Sequence, residues 1–163
     1  MQKYTGRRKV VTDFERVTAA NVRNAVSDVL KQHDMNSTEE KFLFGYMRGI
    51  QPIYARVKEI RPDIQYNTVV NHANEIVSFK SSYLLSSPIT YVSRKDGAGV
   101  STLVEKFNDF MHLSGKNATD KELADDLHIC GLGYRMIYPN SAYNGDKSPF
   151  IITRQNPMTA FGA

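Results

Sequence analysis

The sequence predicts an α+β fold, mostly helical, with a small antiparallel sheet. Two observations carry this. Six segments repeat apolar residues at helical spacing between Gly, Pro and Ser breaks, and two short segments near the end alternate in the manner of strands. With 163 residues, 41% hydrophobic and 23% charged, the chain fits one domain with a modest core.

Residues 1–17 read as a flexible basic arm, and residues 18–163 as the folded part. Lys3, Arg7, Arg8 and Lys9 precede the first acid, Asp13, and account for the whole net charge of +4. Such an arm either touches phosphate, with salt-sensitive affinity, or is a solvated terminus. The start carries no apolar signal region, and no apolar run is long enough to span a membrane.

Helix one is expected over about Ala19 to Gln32, with Val22, Val26, Val29 and Leu30 as its apolar stripe. A second helix is expected to open at Ser37, where Ser37 and Glu40 have capping-box spacing. It ends at Gly49, a C′ residue suited to a left-handed stop. Pro52 suits the first turn of a short helix that Pro62 closes, with Ile53, Val57 and Ile60 on its apolar side. The Thr68-Val69-Val70 stretch fits a strand or the start of a helix. From about Val70 to Leu85 the helical pattern is clear, until Ser86-Ser87-Pro88 breaks it. Ile89 to Val92 then reads as a strand. A helix follows from about Ser101 to Leu113. The next is expected to start at Thr119, again with a capping-box partner, Glu122, and to bury Leu123, Leu127 and Cys130. Gly131 and Gly133 make a tight turn into a strand from Tyr134 to Tyr138. A turn-rich loop joins it to a strand from Pro149 to Thr153, forming a hairpin.

The search for chemistry returns no catalytic constellation. His33, His72, His112 and His128 lack metal-ligand spacing, and one cysteine makes neither a disulfide nor a zinc site. Cys130 reads as a buried structural thiol, and neighbouring Asp125 and Asp126 as a solvated helix face, since adjacent helical residues diverge by about 100°. The pairs Gly97/Gly99 and Gly131/Gly133 complete no nucleotide-binding loop. Tyr134 and Tyr138 share a strand face and can stack bases or, the better fit, pack a core or subunit contact. Catalytic, cofactor and metal residues are therefore all expected to be none.

One ordered set of residues is more specific. Gly49-x-x-Pro52-Ile53-x-x-Arg56 is followed by Asn71 with Ile76-Val77, then by Tyr83-Leu84 and Pro88-Ile89-Thr90-Tyr91. Downstream come Leu127 to Tyr138, containing Gly131, Gly133 and Tyr134, and then Gln155 to Phe161, containing Pro157. In this order and spacing the set resembles phage portal proteins of the Gp6-like family, from tailed phages of Gram-positive bacteria. The resemblance implies a structural ring subunit, typically one of twelve copies, at a capsid vertex of the virion. Such a ring passes double-stranded DNA during packaging and ejection. It docks major capsid and scaffold proteins, terminase and head–tail adaptors, and is itself no enzyme. Family members are several hundred residues long, so the resemblance implies that this chain is the N-terminal, wing-type region, ending before stem and clip. It also implies architectural roles. Gly49, Pro52 and Pro88 would set breaks, and Ile76, Val77 and Leu84 would fill the core. A rival reading is a small DNA-binding or regulatory module that uses the basic arm.

Overall fold

The computed structural model describes residues 10–94 and 97–162; Lys3, Arg7, Arg8 and Lys9 of the arm lie outside them. The elements run α1 (Val22–Met47), a 3-10 turn (Pro52–Ala55), α2 (His72–Leu84), α3 (Ala98–Leu113), α4 (Lys116–Cys130), β1 (Tyr134–Pro139) and β2 (Phe150–Gln155). The mostly helical α+β class is as predicted. The two strands pair antiparallel, with Tyr134 opposite Gln155 and Pro139 opposite Phe150, the expected hairpin with its long loop. Helix α4 lies at the centre and touches α1, α2, α3 and β2.

Several expectations need correction. The two helices predicted before Gly49 are one helix of 26 residues. No Gly or Pro falls between Gln32 and Ser37, and the buried positions Ala25, Val29, His33, Ser37 and Glu40 recur without a break. Ser37 is therefore no cap; its hydroxyl donates to the Met158 carbonyl at 3.1 Å. Within the predicted stripe Val29 is buried, but Val22, Val26 and Leu30 are exposed.

The short helix after Pro52 spans one turn only, and Val57 and Ile60 stand in solvent. No strand forms over Ile89 to Val92. Instead the Asn108 side chain accepts from the Tyr91 N–H at 2.9 Å and donates to the Tyr91 carbonyl at 3.0 Å. One side-chain amide meets the two backbone needs that a neighbouring strand would have met. Helix α4 starts three residues before Thr119, after Gly115 in the left-handed region (φ 69°). The Thr119 hydroxyl donates back to the Gly115 carbonyl, so the second capping box does not form either. Residues 157–159 make a turn.

The apolar core is thin. Among the described residues, the buried hydrophobic positions are Val10, Ala25, Val29, Val77, Leu85, Ala124, Cys130 and Ile152. Two of the largest fully buried side chains, Glu40 and Asp126, are carboxylic acids; the third is Pro157. The buried Cys130 is as expected. Leu127 and, more importantly, Ile76 and Leu84 are exposed, so of the three proposed core fillers only Val77 is buried.

Candidate functional site

The motif residues gather into three structural joints. The first ties α1 to α2. Gly49 takes φ 88°, a conformation glycine adopts at low cost. The Gly49 N–H then donates to the Tyr46 carbonyl at 3.0 Å and the Ile50 N–H to the Gly45 carbonyl at 2.9 Å. This is the Schellman pattern. Asn71 completes the joint from the other side. Its amide donates to the Met47 carbonyl at 2.7 Å, and its oxygen accepts from the Asn74 N–H at 3.2 Å. One side chain thus closes the end of α1 and the start of α2. A Cβ on Gly49 would lie 3.4 Å from the Asn71 amide nitrogen, so the two residues meet directly.

The second joint turns α4 into the hairpin. Gly131 ends the helix at φ 78°. Gly133 is required for a different reason: a Cβ there would fall 2.8 Å from Leu123 Cδ1 and 3.3 Å from the Leu123 carbonyl oxygen. Tyr134 then reaches the end of the described chain through a hydrogen bond with the Gly162 backbone. Burial raises its phenol above the ordinary value of 10.0, and the nearby Glu40 charge adds to the rise, while the Gly162 bond opposes it.

The third joint docks residues 156–162 onto α1. His33 Nε2 lies 3.1 Å from the Met158 carbonyl that Ser37 also meets. The His33 and Phe161 rings are 4.9 Å apart, and Pro157 is fully buried. Asn156 shapes the turn, its side-chain oxygen accepting from the Met158 N–H at 3.0 Å.

The sequence reading missed the ion pairs that fasten the hairpin. Arg135 and Arg154 are directly opposed across β1 and β2, a like-charge pairing that is unfavourable by itself. Each holds an aspartate of α4. Arg154 forms a two-pronged pair with Asp126, Nη2 to Oδ1 at 2.6 Å and Nε to Oδ2. Arg135 and Lys116 share Asp120, one on each carboxylate oxygen. Asp126 is 1% exposed, which overturns the solvated-face reading. The only sequence signal was a single arginine in each strand; nothing in the spacing distinguishes Asp126 from its neighbour Asp125.

The remaining motif residues do not converge. Pro52 and Arg56 are exposed and Ile53 is partly buried. Ile76, Tyr83, Leu84 and Pro88 face solvent, and Tyr91 packs edge-on against Phe107 at 5.0 Å. Among the described residues no group of three His, Cys, Asp or Glu is placed to hold a metal, and no helix is long and apolar enough to cross a membrane. A cavity of about 250 Å³ lies between the Pro88–Thr90 segment, α3 and the start of α4. This is smaller than the roughly 300–1,000 Å³ of usual ligand pockets, and its Lys116 and Asp120 already hold each other.

The model of one protein family, described as "Phage portal protein, SPP1 Gp6-like", matches residues 15–163. No curated protein and no solved structure matches the chain. The chain belongs to the SPP1 Gp6-like phage portal family, whose role is structural and whose place is the virion capsid.

Proposed function

From this membership of the portal family we propose that the chain is a subunit of the portal ring at one capsid vertex, typically one of twelve copies. Residues 18–163 form its peripheral, wing-type part. The ring is the channel for double-stranded DNA during packaging and ejection. Through the whole assembly it meets the major capsid and scaffold proteins, the terminase and the head–tail adaptors. The chain contributes shape rather than catalysis, and Gly49, Asn71, Gly131, Gly133, Tyr134, Pro157 and Phe161 act as joints between elements.

The family match over residues 15–163 carries this reading. A physical observation supports it. The accessible surface is 12596 Å², against about 8,200 Å² for a compact monomer of this mass. Many large apolar side chains lie on that excess surface, including Phe79, Tyr83, Leu84, Leu103 and Ile137. Such an amount of exposed apolar area marks surfaces that other chains cover. Native mass spectrometry with negative-stain imaging tests the reading. Closed rings of about a dozen copies are expected; a protein that stays monomeric at high concentration overturns it.

A further inference from the structure

The segment Ile89–Val92 has the residues of a strand and the bonding of only one strand edge. Asn108 accepts from the Tyr91 N–H at 2.9 Å and donates to the Tyr91 carbonyl at 3.0 Å. One planar amide reaches both groups only when they lie side by side, as they do in an extended chain. There the residues on either side turn their own backbone groups to the opposite edge. Those residues are Thr90 and Val92. Each offers one donor and one acceptor, and neither has a backbone hydrogen bond among the described residues. Both are exposed, Val92 at 85%. A second open edge lies on the hairpin. Strand β1 has β2 on one side and no strand on the other. Arg135 to Pro139 are exposed, whereas every residue of β2 is buried or half-buried, so β1 is the outer strand.

We propose that these two edges join copies of this chain: the Thr90–Val92 edge of one copy adds as a strand to the open edge of β1 on the next. The proposal rests on the ring reading above and adds a contact that builds the ring. Several observations favour a second copy as the occupant. Each edge lacks what the other supplies, a line of backbone donors and acceptors. Ile89–Val92 is shorter than the six-residue β1, so all its outward groups fall within the partner's length. Neither edge carries the guards that keep open strands apart. Ile89–Val92 has no charged residue, the single charge of β1, Arg135, is held by Asp120, and Pro88 and Pro139 stand only at the ends. Ile89, Met136 and Ile137 are apolar and exposed beside the edges, and strand pairing brings such side chains together. Asn108 is then a positioning residue. It holds Tyr91 extended before the partner arrives, so less order is imposed on binding. Because the two edges are different surfaces, the contact is head-to-tail. Such a contact propagates from copy to copy and makes a ring where its rotation closes.

Amide hydrogen exchange, read by mass spectrometry on the unassembled and the assembled protein, tests the pairing. Peptides covering residues 88–92 and 134–139 are both expected to exchange about tenfold or more slowly after assembly. A substitution supplies a second measurement. Val92→Pro removes an outward N–H that no group of the described chain uses, and a proline at 92 favours the extended conformation at Tyr91. The variant is expected to keep its helicity and to need about tenfold or more protein to assemble, whereas Val92→Thr, which keeps the N–H, assembles normally. Rings in which neither peptide is protected overturn the assignment of these edges and leave the ring reading standing. Protection of one peptide without the other overturns the pairing of the two. A Val92→Pro protein that assembles like the unsubstituted one overturns it as well. Monomers only, in the unsubstituted protein, overturn the ring reading itself and the inference with it.

Discussion

Gly133 and Asp126 show how single side chains set this fold. Gly133 has no left-handed backbone to justify it; its reason is the Leu123 side chain and carbonyl that a Cβ would meet. Gly133→Ala is expected to cost about 1–3 kcal/mol, as overpacking does, read as a lower urea midpoint with unchanged slope. Asp126→Ala leaves the Arg154 guanidinium without its counter-charge. Arg154 keeps partial access to water, so the expected cost is about 3 kcal/mol, the low end for breaking a buried pair. Asp126→Leu combined with Arg154→Leu is expected to recover most of that loss, because no unpaired charge remains. A double variant as weak as Asp126→Ala would show that the pair is more than a fastening. Tyr134 adds a pH dependence. Its folded-state value is raised by burial, so above pH 10 the unfolded chain releases this proton first. Stability therefore falls as pH rises through that window. Tyr134→Phe is expected to flatten this alkaline limb when stability is measured from pH 9 upward.

At the scale of elements, the decisive feature is the continuity of α1. Ser37 looked like a start signal because Glu40 follows at the right spacing. It lies within an unbroken helix, and its hydroxyl instead donates to the Met158 carbonyl of the tail. The two roles give opposite expectations. If Ser37 capped a helix, Ser37→Ala would lower helicity. As a docking residue in a helix interior, alanine is the better helix former. Helicity by far-ultraviolet circular dichroism should hold or rise slightly. Stability should fall by about 1 kcal/mol, the worth of one hydrogen bond. The same tertiary demand explains Asn108 and Tyr91. The segment after Pro88 has the residues of a strand, yet no strand stands beside it, and a side-chain amide takes that place.

At the scale of the whole molecule, few buried hydrophobic side chains and a large exposed surface occur together. A core this thin, with two carboxylates among its largest fully buried side chains, is held by joints, ion pairs and caps as much as by apolar burial. Apolar area that the chain leaves uncovered is expected to bind an environment-sensitive dye such as ANS in the unassembled protein. The dye signal should drop as copies assemble. A dye-silent, monodisperse monomer would count against exposed apolar surface that other copies cover.

What the sequence determined was local. The stop at Gly49, the turn through Gly131 and Gly133, the hairpin and the helical spans before and after Pro88 were all legible. Each depends on backbone freedom or on periodicity within a few residues. The ordered motif residues also made the family legible, since order along a chain needs no folding to be read. Which apolar positions are inside was decided only by the tertiary structure. Ile76 and Val77 are neighbours in sequence, yet one faces solvent and the other the core. Periodicity defines a helix's faces but not which neighbour covers each one. The ion pairs of Arg135 and Arg154 with the α4 aspartates, and the docking of Met158 on Ser37, join residues 15, 28 and 121 positions apart. No spacing rule reaches that far, because those contacts exist only once the hairpin and tail have folded back onto the helices.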